Sequence, residues 1–183
     1  MKKLFILTLS SLTFIQCAKK TDPFLIQKDK IGVLERNYTV KQIDSVFAND
    51  SIVKRVAGDE FAGSSTDIEI YEKGGKHLLS LSPSETLDDN ATINIVTIND
   101  DRFKTDKGIN LNSTFLDFTT HYEVSKIDRI LNNINVEFKN QDFYITISID
   151  ELPGAYKYDF SKTIEIASIP DKAKIKSLRL DWF

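Results

Sequence analysis

The sequence has little cysteine: Cys17 is the only one among 183 residues. The chain beyond Cys17 therefore has no intramolecular disulfide and no thiolate metal site. Glycine (7 residues) and proline (4 residues) are also sparse, whereas 41% of the residues are hydrophobic. This composition excludes a long disordered tract and is typical of a folded domain with a sizeable core.

Histidine is equally rare, and the usual catalytic motifs are missing. His77 and His121 are the only two histidines, the common proton shuttles at neutral pH. Neither is followed by a metal-ligating residue three or four positions later. The sequence contains no Gly-x-Ser-x-Gly nucleophile motif and no Gly-x-x-x-x-Gly-Lys phosphate loop. We therefore expect a protein that is not an enzyme and has no cofactor, catalytic residue or bound metal.

Basic residues are outnumbered by acidic ones, 24 to 27, so the formal net charge is −3. No basic run follows Lys19-Lys20. Because an acidic surface repels phosphate backbones, we predict no nucleic-acid partner.

The N-terminus carries the strongest motif. A positive start, Met1-Lys2-Lys3, precedes an apolar run of 12 residues, Leu4–Ile15, which ends close to Cys17. This run is shorter than the roughly 20 residues that span a bilayer, but it fits the core of a signal peptide. The segment resembles the bacterial lipoprotein signal, in which a cysteine just after the apolar run is acylated and the chain is cut before it.

The resemblance implies that residues 1–16 are a signal peptide and that Cys17 carries lipid. Cleavage there removes two lysines and lowers the net charge from −3 to −5. The family favours Leu and a small residue where this chain has Phe14 and Gln16, and two alternatives remain open: an ordinary signal peptide cut near Ala18, or an uncleaved anchor.

Residues 17–29 are expected to form a lipidated tether, which attaches the protein to a membrane. In lipoproteins of this class, an Asp after the cysteine often retains the protein in the inner membrane. Ala18 occupies that position, so the resemblance implies an outer-membrane lipoprotein that faces the periplasm.

Residues 30–183 are predicted to form one α+β domain with a mostly antiparallel sheet. Alternation with period two predicts a hairpin of strands 133–139 and 142–150, turning at Asn140-Gln141. Its inward residues are Ile134, Val136, Phe138, Phe143, Ile145, Ile147 and Ile149. A second hairpin surrounds Gly74-Gly75.

Three further strands are predicted, at 92–98, 163–167 and 174–182. In the last one, Leu178, Leu180 and Trp182 share one face, whereas Arg179 and Asp181 lie on the other.

Two short helices are predicted on one face of the sheet. Thr39-Val40-Lys41-Gln42 has the pattern of a capping box, and Thr114-Phe115-Leu116-Asp117 is the related cap with Asp. The apolar residues that follow recur at helical spacing. Each cap comes after a glycine, Gly32 or Gly108. This similarity predicts tandem halves, 30–106 and 107–183, each with a helix followed by about four strands.

The segment Tyr38–Phe47, with its Thr-x-x-Gln-Ile start, resembles small lipoprotein domains related to β-lactamase-inhibitor protein and to outer-membrane assembly lipoproteins. Members of these families carry such a unit singly or in tandem. The resemblance implies a protein that binds other proteins and performs no catalysis.

Two groups of residues are weighed as sites. Asn99-Asp100-Asp101 with Asp106 is rich in oxygen ligands but lacks the spacing of a calcium loop, so a solvated loop is expected. Tyr144, Tyr156 and Tyr158 are the candidate partner-binding residues, because exposed tyrosines are frequent at interfaces.

We therefore expect a non-catalytic lipoprotein of the cell envelope that binds or supports another periplasmic protein. An inhibitor or immunity-type lipoprotein is the first alternative. A periplasmic hydrolase or small-ligand carrier, with a pocket at His77 or at Asp100-Asp101, is the second.

Overall fold

The computed structural model describes residues 22–54 and 67–183. The predicted signal peptide and Cys17 lie outside the described residues. Within the described part of the chain, no helix is long and apolar enough to cross a membrane.

Two capped helices form where the sequence predicts them. Helix α1 spans Val40–Val46 and helix α2 spans Phe115–His121. The side chain of Gln42 accepts a hydrogen bond from the N–H of Thr39 at 2.9 Å, and Asp117 accepts one from the N–H of Thr114 at 2.7 Å. These contacts satisfy backbone donors that the first helical turn leaves unpaired.

Eight strands form one antiparallel sheet in the order β4-β5-β6-β7-β12-β11-β10-β9. The first four are β4 (Ser51–Lys54), β5 (Ile68–Tyr71), β6 (His77–Pro83) and β7 (Ile93–Ile98). The others are β9 (Val124–Ile130), β10 (Asn133–Phe138), β11 (Phe143–Ser148) and β12 (Ile175–Asp181). The predicted hairpins and the strands at 92–98 and 174–182 are confirmed, and the fold is α+β and mostly antiparallel.

Each helix is followed by four strands, and the two sets meet where β7 pairs with β12. Leu178 lies opposite Ile98, Arg179 opposite Thr97, and Leu180 opposite Val96. If the two sets of four strands are exchanged, the pair Leu178–Ile98 takes the position of the pair Leu180–Val96 and the reverse. The pair Arg179–Thr97 stays in place. An approximate two-fold axis therefore passes between Thr97 and Arg179.

The helix starts obey the same symmetry. The first two N–H groups of each helix donate to two backbone carbonyl oxygens, one of an Ala and one of an Asp. Both residues lie just before the last strand of the same set of four. The bonds are Val40 to Ala91 (3.0 Å), Lys41 to Asp89 (2.9 Å), Phe115 to Ala173 (3.1 Å) and Leu116 to Asp171 (2.9 Å). The repeated Asp-x-Ala segment thus fixes each helix against its own four strands.

A second, four-stranded sheet was not predicted. It contains β1 (Leu25–Gln27), β2 (Lys30–Ile31), β3 (Leu34–Glu35) and β8 (Lys104–Thr105), in the order β3-β2-β1-β8. Strand β1 lies inside the range 17–29 that the sequence assigns to the tether. The turn after β2 requires glycine, because Gly32 has φ +56° and a Cβ there would lie 2.1 Å from the carbonyl oxygen of Pro23.

The prediction of a strand at 163–167 is wrong. Ile164 is buried, but Ile166 is exposed and begins a 3-10 turn, Ile166–Ser168. The connection from β11 to β12 also contains a 3-10 turn, Ile149–Glu151, and a short helix α3, Ala155–Tyr158. Ile164 and Ile166 are two positions apart, as on one face of a strand, but only Ile164 is buried.

The core lies between the helices and one face of the large sheet, which we term the inner face. Phe118 of α2 stacks on Phe138 of β10 at 5.6 Å and meets Phe143 of β11 edge-on at 6.3 Å. Ile43 of α1 belongs to the same buried cluster. Covering one face leaves the opposite one, the outer face, to carry the polar residues of each strand.

Candidate binding surface on the outer face of the sheet

A continuous row of side chains crosses the outer face at mid-height. Residues directly opposite each other in an antiparallel pair share a face, so the strand register identifies this row. From β9 to β4 it contains Lys126, Glu137, Tyr144, Arg179, Thr97, Ser80, Glu69 and Val53. We term it the central row.

Three neighbouring members of the central row have unused hydrogen-bonding groups. Arg179 is half-buried, and its Nε is shielded from solvent without a hydrogen-bond partner among the described residues. The hydroxyls of Tyr144 and Thr97, on either side, also form no hydrogen bond within the described part of the chain. We term Tyr144, Arg179 and Thr97 the central triplet.

The unused groups of the central triplet contrast with several other polar side chains on the outer face, which are paired. Thr146 donates to Asn135 at 2.9 Å, and Ser82 donates to Asp67 at 2.6 Å. Leaving a shielded donor without a partner costs about 1–3 kcal/mol. The central triplet therefore offers two hydroxyls and a guanidinium that have no hydrogen-bond partner in the described chain.

An acidic cavity of about 260 Å³ lies beside Tyr144. Its lining includes Asn135, Glu137, Gln141, Asp142, Tyr144 and Asp181. One oxygen of Asp142 accepts from the N–H of Asp29 and from the indole of Trp182, while its other oxygen is buried and unpaired among the described residues. The three carboxylates give this end of the outer face a negative charge.

The three predicted partner-binding tyrosines do not come together. Tyr144 lies on the outer face, whereas Tyr156 and Tyr158 belong to α3. The Tyr156 hydroxyl lies 2.6 Å from Ser168, and its carbonyl accepts from Arg129, which shares the inner face with Ile134. Tyr158 is 87% exposed. Of the three predicted tyrosines, Tyr144 therefore belongs to the central triplet, whereas Tyr156 and Tyr158 lie in the connection from β11 to β12.

A second polar cluster occupies the β4 side of the outer face, around the buried carboxylate of Glu69. The Glu69 Oε2 atom lies 2.7 Å from His77 Nε2 and accepts from Ser80 Oγ at 2.6 Å. Asn99 donates to Ser80 at 3.0 Å, and Tyr71 stacks on His77 at 4.5 Å. We term these residues the Glu69 cluster.

Alternation with period two along β6 predicts that His77 shares a face with Leu79 and Leu81, and this prediction is wrong. The register shifts between Ile70 and Tyr71, because Ile70 pairs with Leu79 whereas Tyr71 pairs with His77. The extra residue on β6, Leu78, forms a β-bulge and turns inward. His77 is thereby moved to the outer face, beside Glu69.

The Glu69 cluster contains a serine, a histidine and a carboxylate, but not in the order of a proton relay. In such a relay the histidine lies between the serine and the acid. Here His77 and Ser80 both contact the same oxygen of Glu69, and His77 Nε2 is 3.3 Å from Ser80 Oγ. The geometry favours a static hydrogen-bonded network over activation of Ser80.

The other histidine, His121, lines a different cavity, of about 430 Å³, between the small sheet and the end of α2. Tyr122 lies beside it, and burial raises the pKa of this tyrosine. No group of three or more metal-ligating residues that could hold an ion occurs in ranges 22–54 and 67–183.

Asp100, the best cation candidate in the sequence, is buried among basic side chains. The Arg102 guanidinium contacts it at 2.6 Å and Lys76 contacts it at 3.1 Å, while Arg102 also binds Glu72. Burial opposes the charge of Asp100, but the hydrogen bonds from Arg102 and Lys76 outweigh it and hold its pKa well below the usual range. The expected solvated loop is thus a compact ion-pair network, and Asp106 pairs elsewhere, with Lys107.

No protein-family model matches the sequence, and no curated protein matches it. The fold is similar to the crystal structure of the uncharacterized protein YfeY from Escherichia coli, with a TM-score of 0.52 and 12% sequence identity. The match covers 86% of this chain and 97% of that one. At this identity the similarity concerns the fold alone.

Proposed function

We propose that this chain is a non-catalytic lipoprotein of the cell envelope that binds or supports another envelope protein through its outer face. In this proposal a lipid on Cys17 holds the domain at the outer membrane, facing the periplasm. The leader that ends near a single cysteine supports the anchor. The outer face provides the binding surface.

The observation that carries the proposal is the central triplet. Tyrosine and arginine near the middle of an interface supply much of the binding energy in many protein complexes. Tyr144 and Arg179 lie on neighbouring strands close to the approximate two-fold axis, in the middle of an eight-stranded sheet. Arg179 also retains a donor that the rest of the described chain does not satisfy.

An inhibitor or immunity-type lipoprotein is the second candidate, and the acidic cavity favours it. Glu137, Asp142 and Asp181 surround an opening beside Tyr144. A basic side chain of an enzyme or toxin would be attracted to this opening and could stack on the tyrosine ring. In this version the protein would block its partner, whereas in the first it would support it.

Site-specific photocrosslinking in intact cells tests the proposal. A photoreactive residue at Thr97, in the central triplet, should form a covalent adduct with a defined envelope protein. The same residue at Leu116, which is 47% exposed on α2, is the matched control and should not form that adduct. Adducts at neither Thr97 nor the outer-face positions Ser80 and Thr146 would contradict the proposed binding surface.

The anchor is tested separately. The wild-type protein should lack residues 1–16 and show the added mass of acyl chains on Cys17, whereas Cys17→Ser should carry no lipid and should keep the leader. An unmodified Cys17 in membrane-bound wild-type protein would contradict lipidation.

A further inference from the structure

We propose that the central triplet recognises a carboxylate side chain, Asp or Glu, on an exposed segment of the partner protein. This inference rests on the proposed function, because it names the partner chemistry for the same outer face. It depends on the state of Arg179, on the two hydroxyls beside it and on the charges around them.

The Arg179 guanidinium is charged but unpaired. Other cations near the outer face have partners: Lys126 contacts Asp128 at 2.6 Å, and Lys176 donates to Asn133 at 2.9 Å. Arg179 forms neither an ion pair nor a side-chain hydrogen bond with any residue of the described ranges, and its Nε is shielded from water. The two Nη groups of Arg179 also have no partner in the described chain but are not shielded, so these are the donors that a group from outside can reach.

The planar guanidinium favours a planar acceptor with two oxygens. Two parallel N–H donors of arginine match the two oxygens of a carboxylate, and such charged pairs are about twice as strong as neutral hydrogen bonds. Neighbouring strands lie about 4.8 Å apart, so the Cα atoms of Tyr144 and Thr97 flank the Cα atom of Arg179 at about that spacing. Their hydroxyls can donate to the remaining lone pairs of the same carboxylate.

The surrounding charges favour one carboxylate over a phosphate group or a polyanion. Asp181 lies two residues from Arg179 on the same strand, with about 7 Å between their Cα atoms. Glu137 lies two strands away, with about 10 Å between its Cα atom and that of Arg179. Both would repel a doubly charged ligand more strongly than a singly charged one. The partner segment therefore presents an isolated Asp or Glu, with neutral or basic neighbours.

Selection of peptides on the lipidated full-length mature protein tests the inference. A displayed library of random heptapeptides is selected for binding to the wild-type protein, and the selected peptides are measured with variants. We expect them to share one Asp or Glu. Arg179→Gln should weaken binding at least about tenfold, the effect of losing one charged hydrogen-bonded pair. Lys176→Gln, the matched control on the same strand, should leave it unchanged.

A second pair of measurements separates recognition from structural damage. Tyr144→Phe removes one hydroxyl and should weaken binding several-fold without changing the thermal unfolding midpoint. Replacing the shared Glu of the peptide with Gln should weaken binding to the wild-type protein but add little to the effect of Arg179→Gln. Peptides without an acidic residue, no enrichment over the Arg179→Gln protein, or equal binding by both proteins would overturn the inference.

The photocrosslink at Thr97 separates this failure from failure of the proposed function. An adduct that persists in the Arg179→Gln protein would mean that the outer face binds a partner without using this carboxylate contact. Absence of outer-face adducts in the wild-type protein would instead remove the proposed function itself.

Discussion

Asp100 shows how one buried charge organises the residues around it. Its oxygens receive hydrogen bonds from Arg102 and Lys76, and the guanidinium of Arg102 lies 4.3 Å from the centre of the Phe24 ring. Asp100 thereby connects the end of β7 with the segment that leads into β1. The carboxylate of Asp100, which the sequence offers as a cation ligand, is thus paired with Arg102 and Lys76 of the same chain.

Replacing Asp100 with Asn should lower the free energy of unfolding by about 2–3 kcal/mol, because two cations lose a buried counter-charge. Urea unfolding followed by circular dichroism measures the change. Asp106→Asn is the control, since Asp106 is exposed and forms its ion pair with its neighbour Lys107. Equal effects of the two substitutions would contradict the role of Asp100.

The same pair of proteins should differ in their response to pH. The folded pKa of Asp100 is depressed, so its stabilisation is fully present above the unfolded pKa of about 3.9 and is lost as pH falls toward the folded value. We therefore expect the difference between wild type and Asp100→Asn to be constant from pH 7 to about pH 5 and to shrink below about pH 4. Urea unfolding at a series of pH values checks this. A difference that grows on acidification would contradict the sign.

At the scale of single elements, the helix caps are local contacts that the sequence predicts. Thr114→Ala removes a cap whose hydroxyl accepts from the N–H of Asp117 at 3.4 Å and donates to its carboxylate at 2.9 Å. The unfolding free energy should fall by about 1 kcal/mol. Thr120→Ala, an exposed position in the same helix, is the control for loss of a threonine and should have less effect. Thermal unfolding measures both.

Elements set by local patterns were predictable, and those set by distant pairing were not. The hairpin at Asn140-Gln141 and the two caps depend on residues a few positions apart, so periodicity and capping patterns locate them. Strand β8 has two residues and pairs with β1, which lies far away in sequence, so no local period marks it. The bulge at Leu78 reversed the face of His77 for the same reason, because its position depends on the partner strand.

The candidate site was predictable only in part. Alternation placed Tyr144 and Arg179 away from the core, and both lie on the outer face. Their adjacency required the pairing of β11 with β12, and the unpaired state of Arg179 required the positions of all the described residues around it. A sequence pattern identifies a polar face, whereas the structure shows which polar groups on it remain unsatisfied.

At the scale of the whole molecule, Arg36 connects the small sheet with the end of the chain. Its guanidinium donates to the carbonyls of Trp182 and Phe183, each at 2.9 Å, and pairs with Asp29 at 2.9 Å. The small sheet and the last strand of the large sheet are therefore held together by one side chain and by Asp142, which binds the same two regions.

Arg36→Ala should lower the unfolding free energy by about 1–2 kcal/mol, because three contacts of one charged side chain are lost. Trp182 is the only tryptophan, so its fluorescence should shift to longer wavelength as the C-terminal residues become more exposed. Lys30→Ala breaks an exposed ion pair in the same small sheet and is the control, expected to have little effect. An unchanged tryptophan spectrum in Arg36→Ala would contradict this connection.

The approximate two-fold axis has a consequence for orientation. The pairing of β6 with β7 has the same register as the pairing of β11 with β12, but the two positions nearest to the axis carry a hydroxyl, Thr97, and a guanidinium, Arg179. A peptide lying across the middle of the sheet would fit the backbone in either of two opposite directions, yet only one direction brings its acidic group to the cation. The symmetric strand arrangement thus does not select one direction of a bound segment, whereas the difference between Thr97 and Arg179 does.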